Sequence, residues 1–249
     1  MGRRSRSSQG GARRRDGPVS GRRRGPHLRR QASLGRLQPG ARAGGVADGG
    51  LVREARRVTP TLARVRDALE DHHAKPETAP EARPAAVALI LLEGPPSHGL
   101  EALFIRRAER SDDPWSGQVA LPGGRYDPGD VDLLVTAIRE TREETGVDLS
   151  VAERLGVLDD LYPRTPTLPP VVVRPFVFAL PSRPALVPGA EVQRAFWLPL
   201  ARLSRPDARR DLTLAVRGVE RTFPAYVIEG EVIWGMTERI LTPFLQLIL

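Results

Sequence analysis

Residues 121–147 read LPGGRYDPGDVDLLVTAIRETREETGV, and the last third of that stretch decides the reading of the whole chain. A helix is expected over about residues 131–145. Asp130 suits its N-cap, Asp132 its first turn and Gly146 its C-terminal stop. Leu133, Leu134, Ala137, Ile138 and Thr141 fall on one stripe that faces a core. Glu140, Glu143 and Glu144 are related by three, four and one positions, so three carboxylates gather on one patch. Like charges at this spacing cost about 0.2–0.5 kcal/mol per pair, and more where the patch is partly buried. Arg139 supplies one opposing charge by reaching Glu143 at i+4. A hard divalent cation supplies two, and magnesium favours one or two carboxylates, several waters and phosphate oxygens. The competing interpretation is a solvated charged face, which is what most acidic runs are.

The surroundings weigh against that bland interpretation. Gly124, Arg139, Glu140, Glu143, Glu144, Gly146 and Val147 sit at the spacing of the Nudix box, and the stretch resembles that motif. Thr141 holds its first apolar position. Asp130 stands in place of its first Glu, and eight residues rather than seven separate Asp130 from Arg139. The extra residue, with Pro122, Gly123, Gly124, Asp127, Thr136 and Ala137, is similar to the coenzyme A pyrophosphatase-like subgroup of Nudix hydrolases. Residues 103–108, 117–124 and 173–180, and Ile233-Trp234-Gly235 with Thr237, look similar as well. Leu121 departs from the usual Phe, and Asp113-Pro114-Trp115 lies in a slightly longer connection.

This resemblance implies an α/β fold, a Nudix-type α/β/α sandwich with a mixed sheet. It implies a hydrolase that cuts a pyrophosphate bond in a nucleoside diphosphate-linked substrate, coenzyme A or its derivatives, with Mg2+ or Mn2+ as cofactor. Glu140 and Glu144 become the primary metal ligands, and Glu143 a third ligand or the base. Arg139 orients the acids, and Gly123 and Gly124 permit a tight loop close to metal and phosphates. Arg107 is a candidate diphosphate clamp, although Arg106 alternates with it on the same strand. Glu191 resembles a loop carboxylate that serves as base or extra ligand, or it is a surface residue leading into a strand. Trp115 either stacks on a base or packs in the core. Two alternatives stay open: the same fold acting on ADP-ribose or NADH, and a non-catalytic module binding nucleotide or RNA.

Composition bounds the rest. Without cysteine there is no disulfide framework, thiolate nucleophile or thiolate zinc site, and His27, His72, His73 and His98 lack metal-ligand spacing. Residues 1–50 hold thirteen arginines against Asp16 and Asp48, a surplus of eleven, so the total of +8 leaves residues 51–249 at −3. That Arg/Gly-rich tail is expected to be disordered. It is read as a solvated or spurious upstream stretch, a transit-like segment, or an arm that binds nucleic acid weakly. Residues 51–83 form a short helix, with Leu62, Val65 and Leu69 on one face, and a linker at Pro76 and Pro80. The catalytic domain is expected over residues 84–249. Its strands are expected at 85–92, 102–107, 155–161, 171–180, 194–198 and 222–228, with a brief helix at 199–203 and a last helix over 232–248. No apolar run reaches the roughly 18 residues of a membrane span. A cytoplasmic enzyme with a small-molecule nucleotide substrate and no membrane partner is expected, with a homodimer allowed.

Overall fold

Strand β1 (Arg83–Glu93) is apolar almost throughout because the chain covers both of its faces. Ala86, Ala88, Ile90 and Leu92 enter one hydrophobic core, while Ala85, Leu89 and Leu91 enter another. The protein is described from a computed structural model over residues 60–109, 116–164, 169–216 and 219–249, all within the compact unit Glu54–Leu249.

Helix α2 (Leu133–Thr145) closes the first core through the fully buried Ala137. The second core is closed by helices α1 (Leu62–Glu70), through Val65 and Leu69, and α4 (Met236–Ile248), through Ile240, Leu241, Phe244 and Ile248. One sheet lies between these two helical layers, which is the expected α/β/α sandwich. No helix among the described residues is long and apolar enough to cross a membrane.

The sheet is mixed. β1 runs parallel to β6 (Val171–Ala179) in register from Arg83↔Val171 to Leu91↔Ala179, and β6 is antiparallel to β5 (Glu153–Val157). Two antiparallel partners share the other side of β1. β2 (Leu100–Arg107) takes residues 91–93 and β4 (Gly123–Arg125) takes residues 85–87. The change of partner falls at Pro122, whose carbonyl accepts from the Ala88 N–H at 2.8 Å. β3 (Val119–Ala120) and β7 (Val192–Pro199) both pair with β2, and α3 (Leu200–Leu203) follows Pro199. A second, antiparallel sheet has the order β10 (Glu231–Trp234), β9 (Val219–Ile228), β8 (Arg209–Val216).

Several boundaries differ from expectation for physical reasons. Helix α2 starts at Leu133, and its N-cap is Asp132, whose Oδ1 accepts from the Val135 N–H at 2.8 Å. Asp130 is not the cap, because Arg139 and Thr136 hold its carboxylate. The helix expected over 232–248 is divided by Gly235 at φ 68°, leaving β10 before it and α4 after it. Helix α1, expected ahead of a linker and outside the domain, buries Val65 and Leu69 in the domain's own core. Arg64 also donates to the carbonyl of Ile248, and Arg66 pairs with Glu153 at 2.7 Å.

Candidate active site

The carboxylates of α2 crowd the end of the helix where the backbone opposes them. Unpaired carbonyls give a helix C-terminus about half a negative charge. Here that end is tied down by Gly146 at φ 73°, whose N–H reaches Arg142 O at 2.9 Å. Val187 and Gly189 donate to the carbonyls of Thr145 and Glu144 at 2.8 and 3.1 Å. These bonds quiet the carbonyls but leave the side-chain charges unanswered.

Arg139 answers part of that charge. Its Nε and Nη2 grip Asp130 at 3.0 and 2.9 Å, and its Nη1 reaches Glu140 at 2.9 Å and Glu143 at 3.4 Å. The bidentate grip holds the Asp130 carboxyl well below the usual carboxylate range, against the opposing effect of burial, and it raises the Arg139 guanidinium. Asp130 also accepts from the Thr136 hydroxyl at 2.8 Å. The residue at the departure from the box is thus the anchor that aims Arg139 at the acids.

Glu144 is the buried member, with 8% of its side chain exposed. Its Oε2 accepts from the Gly123 N–H at 2.8 Å and its Oε1 lies 3.9 Å from Arg107 Nη1. Burial nevertheless dominates and pushes its carboxyl up to about 7, helped by the neighbouring charges of Glu140 and Glu191. Burial raises Glu140 as well, opposed by Arg139. The two glycines are required here. A Cβ on Gly123, at φ 148°, would stand 2.3 Å from the Ala86 carbonyl oxygen, and one on Gly124 would stand 2.4 Å from Cδ of Glu140.

One cavity of about 570 Å³ gathers Arg107, Gly123, Gly124, Glu140, Glu144 and Glu191. Its volume lies in the range of small-molecule sites. The structure separates Arg107, which lines it, from Arg106, which pairs with Glu231 beside Arg194. Arg139 stands behind Glu140 and is not on the cavity wall. Glu143 is not on it either, and 60% of its side chain is exposed. Trp115 falls outside the described residues. Trp234 packs against Phe223, with ring centroids 5.0 Å apart.

Sequence reasoning missed Arg83, Arg125 and Thr237, which also line the cavity. Arg83 and Arg125 reach the site through the pairing of β1 and β4, and Thr237, noted only as part of a similar segment, reaches it through the start of α4. Three arginines and three glutamates therefore share one wall-to-wall space.

The donor set fits a hard divalent cation. Every side-chain donor offered by Glu140, Glu144 and Glu191 is a carboxylate oxygen, and the bare Gly124 Cα makes room for the Glu140 carboxylate. Among the described residues no three histidine, aspartate or glutamate side chains already form a metal cage. Arg139 instead engages Glu140 and Glu143, the arrangement expected of acids short of positive charge.

Comparison with known proteins places the chain in a family. The NUDIX domain model matches residues 82–216. Human and mouse proteins named mitochondrial coenzyme A diphosphatase NUDT8 are 33% and 31% identical, covering 67% and 74% of this chain and 71% and 86% of theirs. An uncharacterized Schizosaccharomyces pombe protein is 37% identical over 131 residues, half of this chain but 40% of that protein's length. Among solved structures, a MutT/nudix family protein from Enterococcus faecalis has a TM-score of 0.46 at 21% identity, covering 73% of this chain and 67% of that one. With more than half of its length matched by the family model and these relatives beside it, the chain belongs to the Nudix hydrolase family.

Proposed function

We propose that this chain hydrolyses the pyrophosphate bond of coenzyme A or its derivatives with the help of Mg2+ or Mn2+. The observation that carries the proposal is the convergence of Glu140, Glu144 and Glu191 with Arg107 on one cavity. The resemblance of residues 121–147 and the names of the human and mouse relatives support the choice of substrate.

In this proposal Glu140 and Glu144 hold the cation, one helical turn apart on the same side of α2. Glu143 is a third ligand or the base, and Glu191 is a base or an extra ligand. A cation held by Glu140 and Glu144 would neutralise diphosphate oxygens and would lower the pKa of a water placed to attack phosphorus. Arg107 clamps the diphosphate, since a guanidinium matches two phosphate oxygens at once. Gly123 and Gly124 let the backbone approach it closely. Arg139 keeps Glu140 in place while Asp130 fixes the guanidinium.

Product analysis tests this directly. Coenzyme A, an acyl thioester of it, ADP-ribose and NADH are incubated with the protein and Mg2+ or Mn2+. Adenosine 3′,5′-bisphosphate and 4′-phosphopantetheine are the expected products of coenzyme A. Turnover of ADP-ribose or NADH with coenzyme A untouched moves the substrate within the family. No turnover of any diphosphate overturns the hydrolase reading.

A further inference from the structure

The cavity that holds the acids is also lined by the first turn of α4, through Met236, Thr237 and Ile240. Three features of this turn are not used by the proposed reaction. First, the helix begins without a side-chain cap: its N-cap is Gly235, which has nothing to offer the amide N–H groups that follow. A 13-residue helix leaves those first amides without intrahelical acceptors and gathers about half a positive charge there.

Second, the acid of the first turn is engaged elsewhere. Glu238 is 2% exposed, and its Oε1 accepts from Arg209 Nε and from the Thr242 hydroxyl, each at 2.8 Å. It does not cap the turn from the cavity side. Third, Thr237 is only 8% exposed, and its hydroxyl has no hydrogen-bond partner among the described residues. An unpartnered hydroxyl on a nearly buried residue of the cavity wall, beside uncapped amides and in a cavity also lined by Arg83 and Arg125, is the donor set of a tetrahedral oxyanion site.

We propose that Thr237 and the uncapped start of α4 form a phosphate subsite separate from the carboxylate cluster. The assignment of that phosphate to a substrate rests on the function proposed above. Two sources share the chemistry: the diphosphate at the bond to be cut, and a phosphate carried elsewhere on the same molecule, such as the 3′-phosphate of coenzyme A. The subsite makes Thr237 a specificity residue, because a substrate lacking the second phosphate leaves the hydroxyl and amides facing only water.

The test uses binding to the full chain without metal, so its outcome is independent of turnover. Backbone amide spectra are followed while adenosine 3′,5′-bisphosphate, AMP or inorganic phosphate is added to wild type, Thr237→Val and Thr237→Ser. The amides of Thr237 and Glu238 are expected to shift in wild type. Removing the hydroxyl is expected to weaken the bisphosphate about tenfold, and serine to restore it. A loss for the bisphosphate alone assigns the site to the 3′-phosphate; an equal loss for AMP assigns it to the diphosphate. Unmoved amides at saturation, or unchanged affinity in Thr237→Val, overturn the subsite whether or not the chain hydrolyses coenzyme A.

Discussion

Asp130 and Arg139 form a two-point ion pair, Oδ1 to Nε at 3.0 Å and Oδ2 to Nη2 at 2.9 Å, in which the aspartate is almost fully buried. The pair converts a loop residue into the support of the acidic patch. It also explains how an aspartate nine residues before Arg139 can stand where the box usually has a glutamate.

Asp130→Asn keeps the size and the Thr136 contact but removes the carboxylate that grips Arg139 at two nitrogens, leaving it only Glu140 and Glu143. A loss of about 2 kcal/mol in stability is expected at pH 7. Because the carboxyl is depressed in the fold, its contribution is complete above the ordinary unfolded value and fades as pH falls through the lower folded one. Urea unfolding should therefore show the variant's deficit at pH 7 and a shrinking deficit below about pH 4. Equal stability of the two proteins at pH 7 contradicts the anchoring role.

How far this was legible depends on what each residue answers to. The apolar stripe and Gly146 marked α2, and both covered faces of β1 marked its continuous run, since local sequence and tertiary burial agree there. The start of α2 was misplaced because Asp130 and Asp132 both suit a cap, and only Arg139, nine residues on, decides between them. β8 was missed because its residues alternate between exposed and partly buried without a strong apolar signal. β3 and β4 are two and three residues long, too short for any periodicity. That Glu140 and Glu144 stand together was readable because they lie on one helix, whereas Glu191, from a loop, was suggested by resemblance alone. The place of Arg83 and Thr237 in the site was not readable, because the cavity assembles them from opposite ends of the domain.

The two glycines of the turn should fail in different ways. A methyl on Gly123 meets the backbone of Ala86 and Val87 and forces a side chain into φ 148°, so Gly123→Ala strikes the fold. A methyl on Gly124 meets the carboxylate end of Glu140, which can swing away, so Gly124→Ala strikes the site. The expected outcome is a loss above about 2 kcal/mol for the first and under about 1 kcal/mol for the second. Turnover in Gly124→Ala should nevertheless fall at least about tenfold, as one misplaced ligand group suffices. Thermal melts and steady-state rates on both variants check the contrast; it fails if Gly124→Ala melts low or works normally.

Glu144 gives the metal-free chain a pH dependence opposite in sign to that of Asp130. Its carboxyl is pushed up to about 7, so above the ordinary carboxylate range the folded chain retains a proton that the unfolded chain has released. The stability linked to that proton is complete below the unfolded value and is lost as pH rises through about 7. Glu144→Gln removes the dependence. Relative to this variant, metal-free wild type should lose on the order of 2 kcal/mol between pH 5 and pH 8. Added Mg2+ or Mn2+ should recover wild type at pH 8 more than at pH 5, because the cation pairs with the ionised form, and should leave the variant nearly unchanged. Parallel pH curves for the two metal-free proteins would falsify the burial argument.

Gly189 ties the second source of carboxylate to the first. Its N–H donates to the Glu144 carbonyl at 3.1 Å, and its Cα lies so near the helix that a Cβ would stand 2.1 Å from the Glu143 carbonyl oxygen. The carbonyl of Gly189 then accepts from Val192 at 3.0 Å, closing a turn over Glu191, whose own carbonyl accepts from Ala108 at 2.8 Å. Backbone bonds thereby hold the Glu191 turn between the end of α2 and the end of β2. In Gly189→Ala the neighbour that must give is helix backbone, which cannot swing aside, so the turn must lift and carry Glu191 from the cavity. Turnover is expected to fall about a hundredfold. Adding Glu191→Gln to Gly189→Ala should cost little more, since both changes remove the same group from the same place. Losses that simply multiply in the double variant would mean that Gly189 acts on something other than Glu191.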